Sequence, residues 1–259
     1  MQVYKNKFDL LPFQIFANKV TDVSEFTKPK SLDELLADDE LREFFVSWMD
    51  VTHDHVEKLK SCLCTAKVEQ DIQSFLEENP ILLIQHLGGG HGRWVIPKKS
   101  FGGKYFSDFM IGEKHSVGYE WQAVELEHPN SPMFTSKGDP TKELTHAIRQ
   151  IMDWRSWLQR NADLASRSIH QHGLGLKDIR ADLSGLILIS RREHIDPRMN
   201  ELRREYMKTM NISIHSYDFL LDNAIGSAKT WRDHLEEIEV YRSGAQNGHS
   251  ASDDGSVAE

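Results

Sequence analysis

The strand-like segment Tyr119–Glu127 carries the side chains best suited to chemistry. Its side chains alternate between two faces, so Tyr119, Trp121, Ala123, Glu125 and Glu127 share one face, and Glu120, Gln122, Val124 and Leu126 share the other. Carboxylates two positions apart on a strand stand about 7 Å from each other and repel. A solvated strand tolerates that repulsion. A strand holding Trp121, Ala123, Val124 and Leu126 around its acids reads as half-buried, and there two like charges need a cation or a shared proton. Asp108, at the head of the preceding strand SDFMIG, is a third acid that lies beside Glu125 if the two strands pair. Three such oxygen donors suit a hard cation such as Mg²⁺, with Mn²⁺ as a substitute. Bound there, it lowers the pKa of an attacking water and steadies the charge on a phosphate. The plainer alternative is a pair of strand-edge acids and an unrelated turn aspartate.

The elements that must position these residues follow from periodicity. KVEQDIQSFLEENP spaces Val68, Ile72, Phe75 and Leu76 as one buried helical stripe, and the residue before Pro80 ends it. Glycine-rich turns (Gly88–Gly90, Gly92, Gly102, Gly103) separate short apolar runs. After the Glu125 strand, Asp139-Pro140 reads as an N-cap and first helical position, opening a helix that buries Leu144, Ile148, Ile151 and Leu158. LSGLILIS is a continuous apolar run of buried-strand type; DPRMNELRREYMKTM is a helix, ISIHSY a strand, SYDFLLDNA a helix start, and TWRDHLEEIEVYR a last amphipathic helix. The predicted class is α/β, a mixed sheet flanked by helices. Residues 1–66, with the helical pattern SLDELLADDELREFFVSWMD capped by Ser31, read as a mostly helical N-terminal appendage; 67–242 as the main domain; and 243–259 as a disordered acidic tail.

Composition narrows the function classes. The chain has 259 residues and a net charge of -9. The deficit is concentrated in 31–50, which is -6, and in the tail, which is -3; 1–30 is +2 and 51–242 only -2. Nothing here has the basic surplus of a passive DNA-holding protein, although an acidic metal-dependent site remains compatible with nucleic acid. No run reaches the roughly 18 apolar residues of a spanning helix, and the N-terminus lacks a secretory h-region. Cys62 and Cys64, its two cysteines, cannot complete a four-ligand zinc site alone, and the chain reads as a protein of the reducing cytoplasm. GGGHGRW lacks the ending of a P-loop, and no HExxH occurs. Trp121, Trp154 and Trp157 are core candidates ahead of base-stacking ones.

The series EQDIQSFLEENP, FGGKYFSDFMIG, WQAVELEHPNSPMFTSKGDPTKELTHAIRQIMDW, LILISRR and SYDFLLDNA resembles the Shedu family of anti-phage nucleases, within the PD-(D/E)xK superfamily. The resemblance covers 67–225. It implies a PD-(D/E)xK nuclease-like fold, a metal-dependent DNA endonuclease or nickase, a homo-oligomer (a tetramer), and a phage-derived trigger. Asp108 and Glu125 match the metal-binding acids. Glu127 stands where the pattern has lysine. A glutamate cannot supply that positive charge; it would act instead as a general base or a second metal ligand, or else catalysis is lost. Lys104, four residues before Asp108, is a candidate replacement cation. Gln150 lies where related nucleases place a polar residue near metal or phosphate, with a surface glutamine as the alternative. Glu69 is a weak metal-shell candidate, and His128 a substrate contact or a strand-end histidine held by a backbone bond. Arg149 and Arg155 are phosphate contacts or ordinary helix charges, and Arg191 and Arg192, at the end of an apolar strand, are better phosphate candidates. Two alternatives stay open: a catalytically weakened nucleic-acid-binding or regulatory module on the same fold, and a small-molecule hydrolase.

Overall fold

The protein is described here by a computed structural model covering residue 36, residues 39–88, residues 91–230 and residue 232. The predicted helix start at Ser31, the Gly89-Gly90 turn, most of TWRDHLEEIEVYR and the tail 243–259 lie outside the described residues.

The centre is a five-stranded mixed sheet. From one edge to the other its strands are β1 (Gly92–Pro97), β4 (Phe109–His115), β5 (Gly118–Leu126), β6 (Ser184–Leu188) and β7 (Ile212–His215). The first three pair antiparallel, whereas β6 joins β5, and β7 joins β6, in parallel. A small hairpin of β2 (Ser100–Phe101) and β3 (Tyr105–Phe106) stands between β1 and β4. The helices are α1 (His53–Thr65), α2 (Glu69–Glu78), α3 (Lys142–Ser166), α4 (Met199–Met210) and α5, described over 218–230. This is the mixed α/β architecture with flanking helices that the periodicity predicts.

Alternation along the strands divides the core into two faces. Val95, Phe109, Ile111, Val124, Leu126, Leu186 and Leu188 form one cluster with Val56, Leu59 and Leu63 of α1, Ile72 and Leu76 of α2, the 81–84 turn, and Leu220 and Ala224 of α5. On the other face α3 lies so close to β6 that a Cβ on Gly185 would come 2.7 Å from the Ile151 side chain. Phe101 of the hairpin packs on α3 through Trp154 and Trp157, at centroid distances of 6.0 and 5.6 Å. Trp121 and Trp154 are both buried, so their rings serve the core.

Three features differ from the sequence expectation. The pattern over 39–50 forms two three-residue 3-10 turns, Arg42–Phe44 and Trp48–Asp50, instead of a continuous helix, and Phe45 bridges to Trp94 of β1. The larger compact unit begins at Phe44, well before residue 67. The reason is visible in α1, whose Val56, Leu59 and Leu63 enter the same core as α2. The long helix α3 is capped by Thr141, whose Oγ1 accepts from the Leu144 N–H, and not by Asp139.

Gly112, mid-way along β4, is held to glycine by a close approach: an added Cβ would meet the Trp121 ring at 2.6 Å. Overpacking a buried ring of this kind costs about 2 kcal/mol. Gly112→Ala is expected to lower the urea midpoint accordingly; an unchanged midpoint would place Trp121 in a slack environment.

Candidate active site

The candidate residues gather at the end of the sheet where β5 and β6 finish and β4 begins. In open α/β sheets the carboxyl ends of parallel strands are where ligands are met. The register places Phe109 opposite Val124. One step outward, Asp108 stands opposite Glu125, and its Oδ2 accepts the Leu126 N–H at 2.8 Å. Glu127 continues β5 by one residue: its N–H donates to the Leu188 carbonyl at 2.8 Å, and its own carbonyl accepts the hydroxyl of Tyr217 at 2.7 Å. A buried tyrosine thus pins the backbone just after Glu127. Tyr217→Phe leaves that carbonyl without its partner, for a loss of about 1–2 kcal/mol. The expected consequence is a fall of roughly 4 °C in the thermal midpoint of a domain this size, read by scanning calorimetry; no fall would mean that water replaces the hydroxyl without cost.

Helix α2 brings a fourth acid. Asp71 accepts the backbone N–H groups of Lys67 and Val68 at 2.8 and 3.2 Å, which fixes the helix start and sets Glu69 in its first turn. The chain leaves the helix at Asn79, before Pro80, as the proline rule requires.

These four carboxyls act on one another. Burial holds Asp108 above the usual carboxylate range, against the Leu126 N–H and the nearby Lys98 charge. Burial, then Asp108, raises Glu69. Glu125 is pushed well up by burial, then by Asp108, Glu127 and Glu69, with the Gln150 amide working the other way. Burial, then Glu69, Glu143 and Asp108, bring Glu127 to about 8. Glu125 and Glu127 are 5% and 8% exposed. Among the described residues Glu125 Oε2 and Gln150 Oε1 are buried with no hydrogen-bond partner, and no arginine or lysine forms an ion pair with any of the four acids. Clustered, buried carboxyls without an arginine or lysine partner among the described residues are chemically suited to a divalent cation.

The tight three-oxygen cage expected from spacing is not formed in this conformation. Among the described residues no group of three or more His, Cys, Asp or Glu is placed to hold a metal ion. One Asp108 oxygen is already engaged by the Leu126 N–H.

The other candidates fall into two groups. Gln150 reaches Glu125 from α3. His128 takes the backbone role: Nδ1 accepts the Asn130 N–H at 3.1 Å, which leaves Nε2 to donate to the Lys67 carbonyl at 2.9 Å. Lys104 is exposed in the hairpin turn, its Nζ 5.0 Å from the Tyr105 ring centroid, and is not brought to the acids. Arg191 pairs with Asp218 at 3.1 Å and Arg192 with Asp222, so both strand-end arginines are engaged. Arg155 is a structural clamp, donating to the carbonyls of Leu183, Met210 and Asn211.

Sequence reasoning passed over Glu143 and His146. His146 Nδ1 lies 3.7 Å from Glu127 Oε1, and the charge of Glu143 bears on Glu127. The signal was present: Glu143, His146 and Gln150 are spaced as one face of α3. Lys98 was also passed over, because it sits in a turn and not on a strand.

A family model described as Shedu protein SduA, C-terminal, matches residues 66–221, well over half of the chain. The protein belongs to the Shedu family. That family is associated with anti-phage defence. The matched stretch of this Shedu protein contains all four acids, Gln150 and Tyr217. No individual curated protein matches the chain. Among the described residues no helix is long and apolar enough to cross a membrane.

Proposed function

We propose that this Shedu protein is a divalent-metal-dependent DNA endonuclease or nickase, with Asp108, Glu125 and Glu127 as the residues that hold the ion and Glu69 beside them. The observation that carries this reading is the buried, mutually repelling set of carboxyls at the sheet end, with Glu125 Oε2 unpartnered among the described residues. A divalent cation bound there supplies Lewis acidity toward a phosphate oxygen and makes a water easier to deprotonate.

The chain's own groups have distinct tasks. Hydrolysis adds water across a P–O ester bond: the water oxygen joins phosphorus, the ester oxygen leaves, and one proton must pass between them. Glu127 would take a proton from the attacking water where it does not itself hold the ion, and burial beside other acids raises its affinity for that proton. Its contact with His146 gives that proton an exposed neighbour. Gln150 orients Glu125 from α3, and Tyr217 fixes the backbone between Glu127 and the core. Two concavities of about 440 and 460 Å³ lie elsewhere on the molecule and are lined by none of the four acids.

The competing reading is a binding or regulatory module on the same fold, favoured by Glu127 in the lysine position and by the engaged Arg191 and Arg192. Incubation with supercoiled and linear DNA in Mg²⁺, Mn²⁺ or EDTA separates them. Metal-dependent nicking or cutting is the expected outcome; binding without cutting in every metal would favour the module. We further read the protein as a cytoplasmic homo-oligomer, a tetramer, that responds to a phage-derived trigger; a strict monomer in light scattering would contradict the assembly.

A further inference from the structure

We infer that Lys98 is the cation of the reacting phosphate in this site, filling the role that Glu127 cannot. The inference rests on the nuclease reading and deepens it. β1 and β4 pair with Pro97 opposite Phe109. One step further out, the Lys98 N–H donates to the Asp108 carbonyl at 2.8 Å, so the lysine's backbone is fastened to the strand head that presents Asp108. The position is strained: Lys98 has φ +47°, a left-handed conformation that glycine and asparagine adopt more readily than lysine. A glycine or asparagine would suit that turn better, yet a lysine stands there.

The side chain is held beside the site without being consumed by it. Lys98 Nζ lies 3.6 Å from Glu77 Oε1, and its side chain remains 55% exposed. Glu77 is itself oriented by Gln73, a 5% exposed residue of α2 whose amide donates to the same oxygen at 3.2 Å. A buried glutamine thus sets a carboxylate, which sets a lysine at the edge of the acidic group. The positive charge bears on Asp108. An exposed ion pair of this separation contributes little to stability, so an incoming phosphate can take Nζ from Glu77 at little cost. The ammonium then donates to a non-bridging phosphate oxygen and offsets the charge that builds as water adds to phosphorus. Lys104, by contrast, is turned to the Tyr105 ring in the hairpin.

The strain makes the test decisive. Lys98→Gly and Lys98→Asn fit a left-handed backbone, so both proteins are expected to unfold no earlier than the parent. On supercoiled DNA with saturating Mg²⁺, both should lose about 100-fold in kcat with a much smaller change in KM. Mn²⁺ uptake should be unchanged, and Lys98→Arg should recover part of the rate. Lys208→Ala, on the exposed face of α4, should cut like the parent. If Lys98→Gly cuts at the parental rate while the parent is metal-dependent, the role of Lys98 is overturned and the nuclease reading stands. A parent that cuts no DNA in any metal overturns both.

Discussion

Glu125→Gln should abolish DNA cleavage and at the same time stabilise the fold. The side chain is 5% exposed, one oxygen has no partner among the described residues, and three other acids raise the cost of its charge. Replacing it with a neutral isostere removes a buried, repelled carboxyl but keeps its volume. Activity depends on the property that the fold tolerates poorly, so the two effects carry opposite signs. Cleavage of supercoiled DNA should fall by about 100-fold or more, while the thermal midpoint in EDTA rises by several degrees. A variant that loses activity and stability together would instead make Glu125 a packing residue. One that keeps activity would remove it from the site.

The second large effect is on stability as a function of pH. Glu127 has a folded pKa near 8 against an ordinary value of 4.5, and Asp108, Glu69 and Glu125 shift the same way. Between those two values the folded chain keeps a proton that the unfolded chain has released. The contribution is therefore fully present below about 4.5 and is lost as pH rises through about 8. For Glu127 alone the loss is at most on the order of 5 kcal/mol, less what solvent screening removes. In EDTA the thermal midpoint should drop by roughly 10 °C between pH 5.5 and 8.5. Mn²⁺ should flatten the upper part of that profile, since a cation favours the ionised carboxyls, and Glu127→Gln should flatten it without metal. A midpoint that rises across this window in EDTA would mean that the carboxyls are ionised and compensated in the folded state.

The sequence carried the site's acids more clearly than its other members, for a physical reason. A period of two on a strand fixes which side chains share a face, so Glu125 and Glu127 could be placed together before any coordinates. Asp108 followed from one assumption, that SDFMIG pairs with the next strand, and the register of β4 and β5 meets it. Helix α2 was equally legible, because Ile72 and Leu76 lie on its buried stripe and Pro80 ends it. Strand β1 was obscured by its glycines. Gly92 belongs inside the strand because Trp94 and Phe45 pack over its α-carbon, a contact made by residues far apart in sequence.

The arginines show the opposite case. Charge and strand-end position made Arg191 and Arg192 attractive for phosphate, but their partners, Asp218 and Asp222, come from α5 and cannot be located by spacing. Lys98 was hidden likewise: its relation to Asp108 passes through the β1–β4 pairing and its relation to Glu77 through α2 packing. Local periodicity reveals what one element presents; it does not reveal what a second element brings to it.

The central claim is that this end of the sheet binds a divalent cation through its carboxyls, and calorimetric titration of the full chain with Mn²⁺ at pH 7.5 tests it most directly. Saturable uptake is expected in the parent, with release of protons as the raised carboxyls ionise, and loss of that uptake in Asp108→Asn and Glu125→Gln. Uptake that is absent in the parent, or that survives unchanged in both variants, would contradict the account.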